Sequence, residues 1–487
     1  MRIATTTLTL LALGTLCSAA QAGGYFNGTT GARSAGRAGA FTARADDLSA
    51  VAFNPAGLAH LQSSLLQVGN RFSYNGYSYR RAPTLDWGNA ENGIPRYVEF
   101  AEVENETPWQ PLDPMLGAAS KLGLEDWAFA LVAFAPSGVA HEKFPVGGGQ
   151  RYMMVEREAV ILNYSASVAW KFRNSFGLGA SLQWIAVPKL KYALMIDGSP
   201  YSGAANPVAS ELDMVATTEG PDYFTPNLVL GGWYRPATFL ELGASAQVVP
   251  SAMSTNSKLS VKAANPGLVG DVRLLRDGKP ADDVHINFPM PLTFRGGVRY
   301  RSMDGEREKF DLELDATYET WSRVQRFVVE SNHLVANYQE QLVPIGRIEI
   351  EKQWRNTLTL ALGGDYAILP DRFTARAGAY YETAVADDAY ANVDFAGGPF
   401  LGLALGGSVY YRRFELAFAY EYRFQPTLSV SERDARLYQE VPGSQCRAPY
   451  TGPTCAPAYQ GLPAPAVNAG SYRSYNHVAS LDVLYRF

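Results

Sequence analysis

Cysteine is scarce in this chain of 487 residues, which has three, and Cys17 lies within the first twenty-odd positions. That excludes a disulfide-dense scaffold and a multi-cysteine metal centre. Histidine is limited to His60, His141, His285, His333 and His477, and no G-x-S-x-G elbow occurs. Nucleophilic catalysis therefore has little to build on. No nucleotide motif is present, so neither a cofactor nor energy coupling is expected from the chain itself. Charged residues make up 18%, below the roughly 25% of a soluble domain. The formal net charge is -5 and there is no basic tract, which excludes a nucleic-acid partner. Beyond the first twenty-odd residues no 18-residue apolar run occurs, so no transmembrane helix is expected. A β-barrel stays open, because alternating strands average their hydropathy.

Apolar residues reach 47% and aromatics 12%, with Tyr 28 the largest aromatic share. Such a chain can bury a core and is not disordered. Met1-Arg2-Ile3, the apolar stretch Leu8 to Leu16 and Ala20-Gln21-Ala22 make a secretory signal over residues 1–22, which leaves Gly23 as the mature N-terminus. The two remaining cysteines, Cys446 and Cys455, sit in a Pro/Gly-rich stretch with no histidine nearby. In an exported chain this suggests one disulfide rather than a metal pair, and no metal site is expected.

Period-two patterning fills the rest. His477, Ala479, Leu481, Val483, Tyr485 and Phe487 share one face; Val478, Ser480, Asp482, Leu484 and Arg486 share the other. This is a strand between two different environments. About fourteen such segments follow: 64–80, 115–122, 126–135, 158–172, 175–195, 223–235, 238–250, 284–301, 309–322, 354–369, 372–383, 398–412, 414–424 and 473–487. Gaps after even-numbered segments are short, as at Arg173-Asn174 and Pro370-Asp371, and gaps after odd-numbered ones are long. Short inner turns alternating with long outer loops are the mark of a transmembrane antiparallel barrel. The fold class is therefore all-β, a barrel of about 14 strands spanning residues 64–487.

Charges on a lipid face cost several kcal/mol near the midplane. The rows Arg295, Arg299 and Arg301, and Asp311, Glu313, Asp315 and Glu319, should accordingly face the lumen as a charge network. Among outer segments, Met214, Tyr223, Phe224, Leu259 and Val261 are candidates for an apolar groove. Residues 23–63 lack the strand pattern. Their small residues and short helical pieces suit a helical plug, with Asp47 or Ser49 as a cap.

Here the chain resembles a family. Gly36-Arg37-Ala38-Gly39-Ala40, Ala45-Asp46-Asp47-Leu48-Ser49 and Asn54-Pro55-Ala56-Gly57-Leu58 are similar to the hatch of the FadL/TodX transporters of the bacterial outer membrane. The resemblance extends over the mature chain to Trp321-Ser322 and the terminal Phe487. It implies a passive, non-enzymatic, monomeric transporter of hydrophobic compounds, foremost long-chain fatty acids, alternatively aromatic hydrocarbons or alkanes. Its partners would be outer-membrane lipid, lipopolysaccharide and the hydrophobic ligand. It implies capture by outer loops, release gated by the hatch at Gly23, Gly24, Tyr25 and Phe26 with Asn54, Pro55 and Ala56 as the hatch motif, and lateral exit at a kinked third strand. The kink is expected at Pro136-Ser137-Gly138, because proline removes a ladder donor and glycine favours a bulge. Two readings of other classes are a general diffusion porin, which lacks such a plug, and an outer-membrane lipase, for which His477 and Ser480 lie on opposite strand faces.

Overall fold

The computed structural model describes residues 29–91, 94–136, 139–197, 211, 213–331, 333–338, 341–345, 347–395, 397–438 and 466–487. The expected signal at residues 1–22, Gly23 to Phe26, Ser137, Gly138, Cys446 and Cys455 lie outside the described residues.

The chain forms a closed antiparallel barrel of fourteen strands. They are β1 Leu65–Arg81; β2, in the pieces Val103–Glu104, Trp109–Gln110 and Pro114–Ser120; β3, Trp127–Phe134 and Val139–Lys143; β4 Glu156–Phe172; β5 Phe176–Ile196; β6 Met214–Ala237; and β7, Leu240–Val248 and Met253–Ala263. Then come β8, Asp283–Phe288 and Thr293–Asp304; β9, Arg307–Glu319 and Arg326–Glu330; β10, Ile348–Glu351 and Thr357–Leu369; β11 Phe373–Glu382; β12 Phe400–Tyr411; β13, Phe414–Phe424 and Leu428–Val430; and β14 Gly470–Arg486. β14 closes on β1 from Leu65↔Arg486 to Arg81↔Gly470. Closure pairs the two end strands, so neither presents a free edge to lipid.

The short connections turn on left-handed residues: Leu122 and Gly123, Arg173, Gly305, Asp371 and Arg412 all have positive φ. Such turns match the twist of the strands they join. On the outward face Leu178, Leu182, Leu230, Leu314, Leu360, Leu405 and Leu481 stand exposed, as lipid-facing side chains must. Aromatic girdles bound this band. Trp127, Trp170, Phe172 and Phe176 cluster at the turn end, with Phe414, Tyr485 and Phe487. Tyr164 and Trp184 stack 5.0 Å apart at the other end. Tyr164 and Trp170 are six positions apart on β4, roughly 20 Å of strand, close to the height of an apolar band.

Above the upper girdle the polarity of the wall inverts. In the second piece of β7, Met253, Leu259 and Val261 are buried inward, whereas Ser254, Asn256, Lys258, Ser260 and Lys262 are exposed outward. Ile185, Leu194, Ile196, Val284, Ile286, Phe327 and Trp354 join the same inward apolar core. Here water lies outside, so the apolar face turns in. The expected strand limits stop short for this reason. The segment 238–250 continues to Ala263, and 223–235 begins at Met214. The groove candidates divide too: Met214, Leu259 and Val261 are buried in this core, but Tyr223 and Phe224 are exposed by about two thirds on the wall.

Within the barrel, α1 Ala32–Ala35, α2 Ala50–Phe53 and a 3-10 turn Pro55–His60 are almost wholly buried. Ser49 stands at the N-cap of α2 without a side-chain bond to it; Asp47 instead accepts the Ser49 backbone N–H at 2.8 Å.

Candidate functional site

The N-terminal segment is fixed to the inner wall by two sets of contacts. One is close backbone approach. A Cβ at Gly231 would overlap Asn54 Oδ1, and one at Gly179 would overlap Ala56 N. Only glycine lets the Asn54-Pro55-Ala56 turn lie flat on β5 and β6. Asn54 uses that approach: its Nδ2 donates to Thr42 O at 2.9 Å and Gly232 O at 3.0 Å, and its Oδ1 accepts from Ala56 N at 3.2 Å. Trp233 Nε1 donates to Ala56 O at 3.1 Å.

The other set is ionic. Arg37 is fully buried and reaches Asp311 at 2.8 Å, Glu313 at 3.0 Å and Asp365 at 2.7 Å. Asp315 Oδ2 accepts from the backbone of Phe41 and Thr42 at 2.9 and 2.8 Å, and Glu313 Oε1 from Ala43 N at 2.6 Å. Arg299 pairs with Asp311 at 2.6 Å and with Glu241 and Glu308 at 2.5 Å. Arg44 and Arg376 supply further positive charge against Asp365. A set this dense is tolerable in the interior because each carboxylate has a guanidinium or backbone donor.

The row expected as one network thus splits. Asp311, Glu313 and Asp315 hold the N-terminal segment, with Arg299 bonded to Asp311 behind them, while Arg295 and Glu319 line a cavity of about 100 Å³ beyond it. The cavity floor is Thr29, Thr30, Ala52 and Phe53; Phe134, Pro136, Tyr380 and Phe400 add apolar wall, and Asn163, Glu382 and Arg423 polar wall. Arg295 lies 5.7 Å from the Phe53 ring, and its buried Nη1 has no hydrogen-bond partner among the described residues. Sequence reasoning missed Arg37, Asp365, Glu241 and Glu382. Arg37 was visible only as part of a motif, and the acids lie on inward strand faces whose register had to be known.

The wall is broken beside the cavity. β3 pairs with β4 up to Phe134↔Asn163 and resumes at Val139↔Val160, so β3 advances five positions where β4 spends three. The register thus shifts by two positions between Phe134 and Val139, an interval of which Ala135 and Pro136 are described. On the other flank β2 is itself in pieces. Below the break Ala135 N donates to Pro114 O at 3.0 Å. Above it, Gln110 and His141 exchange bonds of 2.6 and 3.1 Å. Between these, no ladder bond joins β2 to β3 among the described residues, and this interval is the window.

The profile of the outer membrane protein transport family (OMPP1/FadL/TodX) fits residues 13–446. The chain belongs to this family.

FadL/TodX proteins are outer-membrane barrels, and this member is an outer-membrane transporter of hydrophobic compounds. Three solved structures share its fold. A FadL homologue of Pseudomonas aeruginosa is 17% identical, with TM-score 0.69 over 95% of this chain and 100% of that one. The toluene transporter TodX of P. putida is 14% identical, with TM-score 0.62 over 94% and 98%. The monoaromatic hydrocarbon channel CymD is 15% identical, with TM-score 0.57 over 94% and 97%. No curated protein matches the sequence.

Proposed function

We propose that this FadL/TodX protein takes up long-chain fatty acids. Outer segments capture the ligand, the cavity holds it above the N-terminal hatch (residues 23–63), Gly23 to Phe26 gate its release, and it leaves sideways at the window beside Pro136. A lateral path keeps an acyl chain out of the polar lumen and delivers it to lipid, where each buried CH₂ gains about 0.8 kcal/mol.

The observation that carries the fatty-acid reading is Arg295, a guanidinium on the cavity wall with a nitrogen that has no hydrogen-bond partner among the described residues. It offers a carboxylate a charge-assisted bond, the strong kind in a buried site. Equilibrium binding tests this. Arg295→Met should weaken a long-chain fatty acid roughly tenfold, the loss of one such bond, and leave toluene binding unchanged. Equal loss of both ligands would remove the carboxylate reading.

A second reading is uptake of a monoaromatic hydrocarbon. It is favoured by the size of the cavity, about 100 Å³, and its rings Phe53, Phe134, Tyr380 and Phe400. Tight toluene binding with no fatty-acid binding would select it.

For its surroundings we infer a monomer among outer-leaflet lipid and lipopolysaccharide. One register row on the outer wall supports the second: His141↔Glu158↔Lys191↔Glu219↔Lys258↔Asp283 runs across strands β3 to β8 above the upper girdle. His141, Glu156 and Glu158 of this region could group about a cation, but Lys191 and Lys189 already bond the two acids at 2.6 and 2.8 Å.

A further inference from the structure

Arg71 of β1 touches both the cavity floor and the rim of the window. It is 6% exposed. Its Nη1 donates to Thr29 O at 2.7 Å and to Thr29 Oγ1 at 3.1 Å. Its Nε and Nη2 grip the carboxylate of Asp113. The backbones add to this clasp: Arg71 N donates to Asp113 O at 3.1 Å, and Asp113 N donates to Asn70 Oδ1 at 3.1 Å.

Each end of the clasp has a place in the passage. Thr29 lines the cavity together with Pro136 and Arg423, and Arg423 Nη2 reaches Thr29 Oγ1 at 3.3 Å. Asp113 precedes Pro114, whose carbonyl makes the last ladder bond below the window. The bonds that hold the rim come from β1, where Asn70 Nδ2 also donates to Pro111 O at 2.9 Å. Pro111 and Pro114 have no N–H to give to a ladder, and Leu112 between them is exposed outward. Among the described residues no ladder bond joins 111–113 to β3, so this edge is held from β1, where the Arg71 side chain adds to the backbone bonds.

We propose that Arg71 is a positioning residue for the lateral step: one guanidinium ties the cavity floor at Thr29 to the window rim at Asp113 and so sets the passage between them. A planar fork suits the task, because it can hold a carboxylate with one edge and a carbonyl with the other. The proposal rests on the lateral-exit reading but not on the identity of the ligand.

The test separates binding from transfer. Parent, Arg71→Gln, Arg71→Lys and Asp113→Asn proteins are compared after heat-modifiable gel mobility shows each barrel to be folded. Equilibrium binding of a pyrenyl fatty acid, and of pyrene as a neutral arene, is measured in detergent. The rate at which each probe passes from the protein into a surrounding liposome bilayer is measured separately. Arg71→Gln and Asp113→Asn should bind like the parent and transfer roughly tenfold more slowly, a coupling of ordinary size. Arg71→Lys should recover part of the rate, and the Arg71→Gln, Asp113→Asn double variant should be no slower than either single one. A parental rate in either single variant overturns the proposal, as does a loss of binding equal to the loss of rate. If Arg71→Gln fails to fold, Asp113→Asn and Arg71→Lys decide. A parent that binds pyrene but not the fatty acid would refute the substrate reading alone, and the comparison would proceed with pyrene.

Discussion

Arg37 and Asp311 face each other through two bonds, Nη1 to Oδ1 and Nη2 to Oδ2, both 2.8 Å and both fully buried. The residues are 274 positions apart. The pair joins the N-terminal segment to β9 and stands at the centre of a cluster that also includes Glu313 and Asp365. Breaking a buried pair by removing one partner costs about 3–5 kcal/mol, because the other charge is left uncompensated. Arg37→Leu should therefore loosen the segment within an intact barrel. Limited trypsin digestion should cut at Arg33 or Arg44, and planar-bilayer conductance should rise. Parental conductance with parental protease resistance would show that the glycine contacts suffice.

The Asn54 turn offers an independent lever. Asn54→Ala removes a cap to the 3-10 turn and two further bonds, a loss of about 1–3 kcal/mol. Gly231→Val should be worse, since its side chain would displace the same turn from β6. Amide hydrogen exchange over residues 50–61 reads both. The expected order of protection is parent, then Asn54→Ala, then Gly231→Val.

The lipid face has a sign of its own. Leu314 is 54% exposed on β9, next to the fully buried Asp315 row. Leu314→Arg puts charge toward acyl chains at a cost of roughly 2–4 kcal/mol near the midplane. Equilibrium folding into vesicles measures it, and a change near zero would place Leu314 at an interface instead.

In the outer region Asp213 accepts a bond from Tyr152 Oη at 2.7 Å. Burial is the largest influence on this carboxyl and pushes it up to about 6, with repulsion from Asp197 adding to the rise and Tyr152 and Arg151 opposing it. The folded state then holds a proton that the unfolded chain releases near its ordinary value of 3.8. Between these values the folded state binds more protons, so local stability falls as pH rises from about 4 to about 6 and is level above that. Exchange protection at residues 150–155, corrected for intrinsic rates, should be higher at pH 4.5 than at pH 7. Asp213→Asn should flatten the difference.

The charged row above the girdle predicts sensitivity to the lipid. Lys191→Glu with Lys258→Glu should lower the gain in thermal stability that lipopolysaccharide with magnesium gives over phospholipid alone. Equal gains in parent and variant would mean that the row is merely solvated.

Much of this architecture was legible in the chain. Fourteen strands, their short and long connections and the lipid face of each follow from a period of two, which is local: Leu312, Leu314 and Ala316 declare their face without reference to any other strand. The strand extensions were less legible, because alternation above the girdle persists with its polarity reversed. Lys258 between Ser257 and Leu259 reads as loop until the apolar side is known to point inward. Pro136 could be singled out as a break from its chemistry, but a window needs a second edge, and β2 shows its fragments only in the register against β1.

What the sequence determined alone is what lipid and water impose residue by residue: an apolar outward row, a polar inward row, small residues at the N-terminus and aromatics at the borders. Only the tertiary structure decided which inward charges meet. Asp315 holds a backbone while Glu319, two pleat repeats further along, lines the cavity, and Arg71 finds Thr29 and Asp113 across the lumen and the wall. Closure and stagger of the barrel set those distances, and both are properties of the whole sheet that no single strand carries.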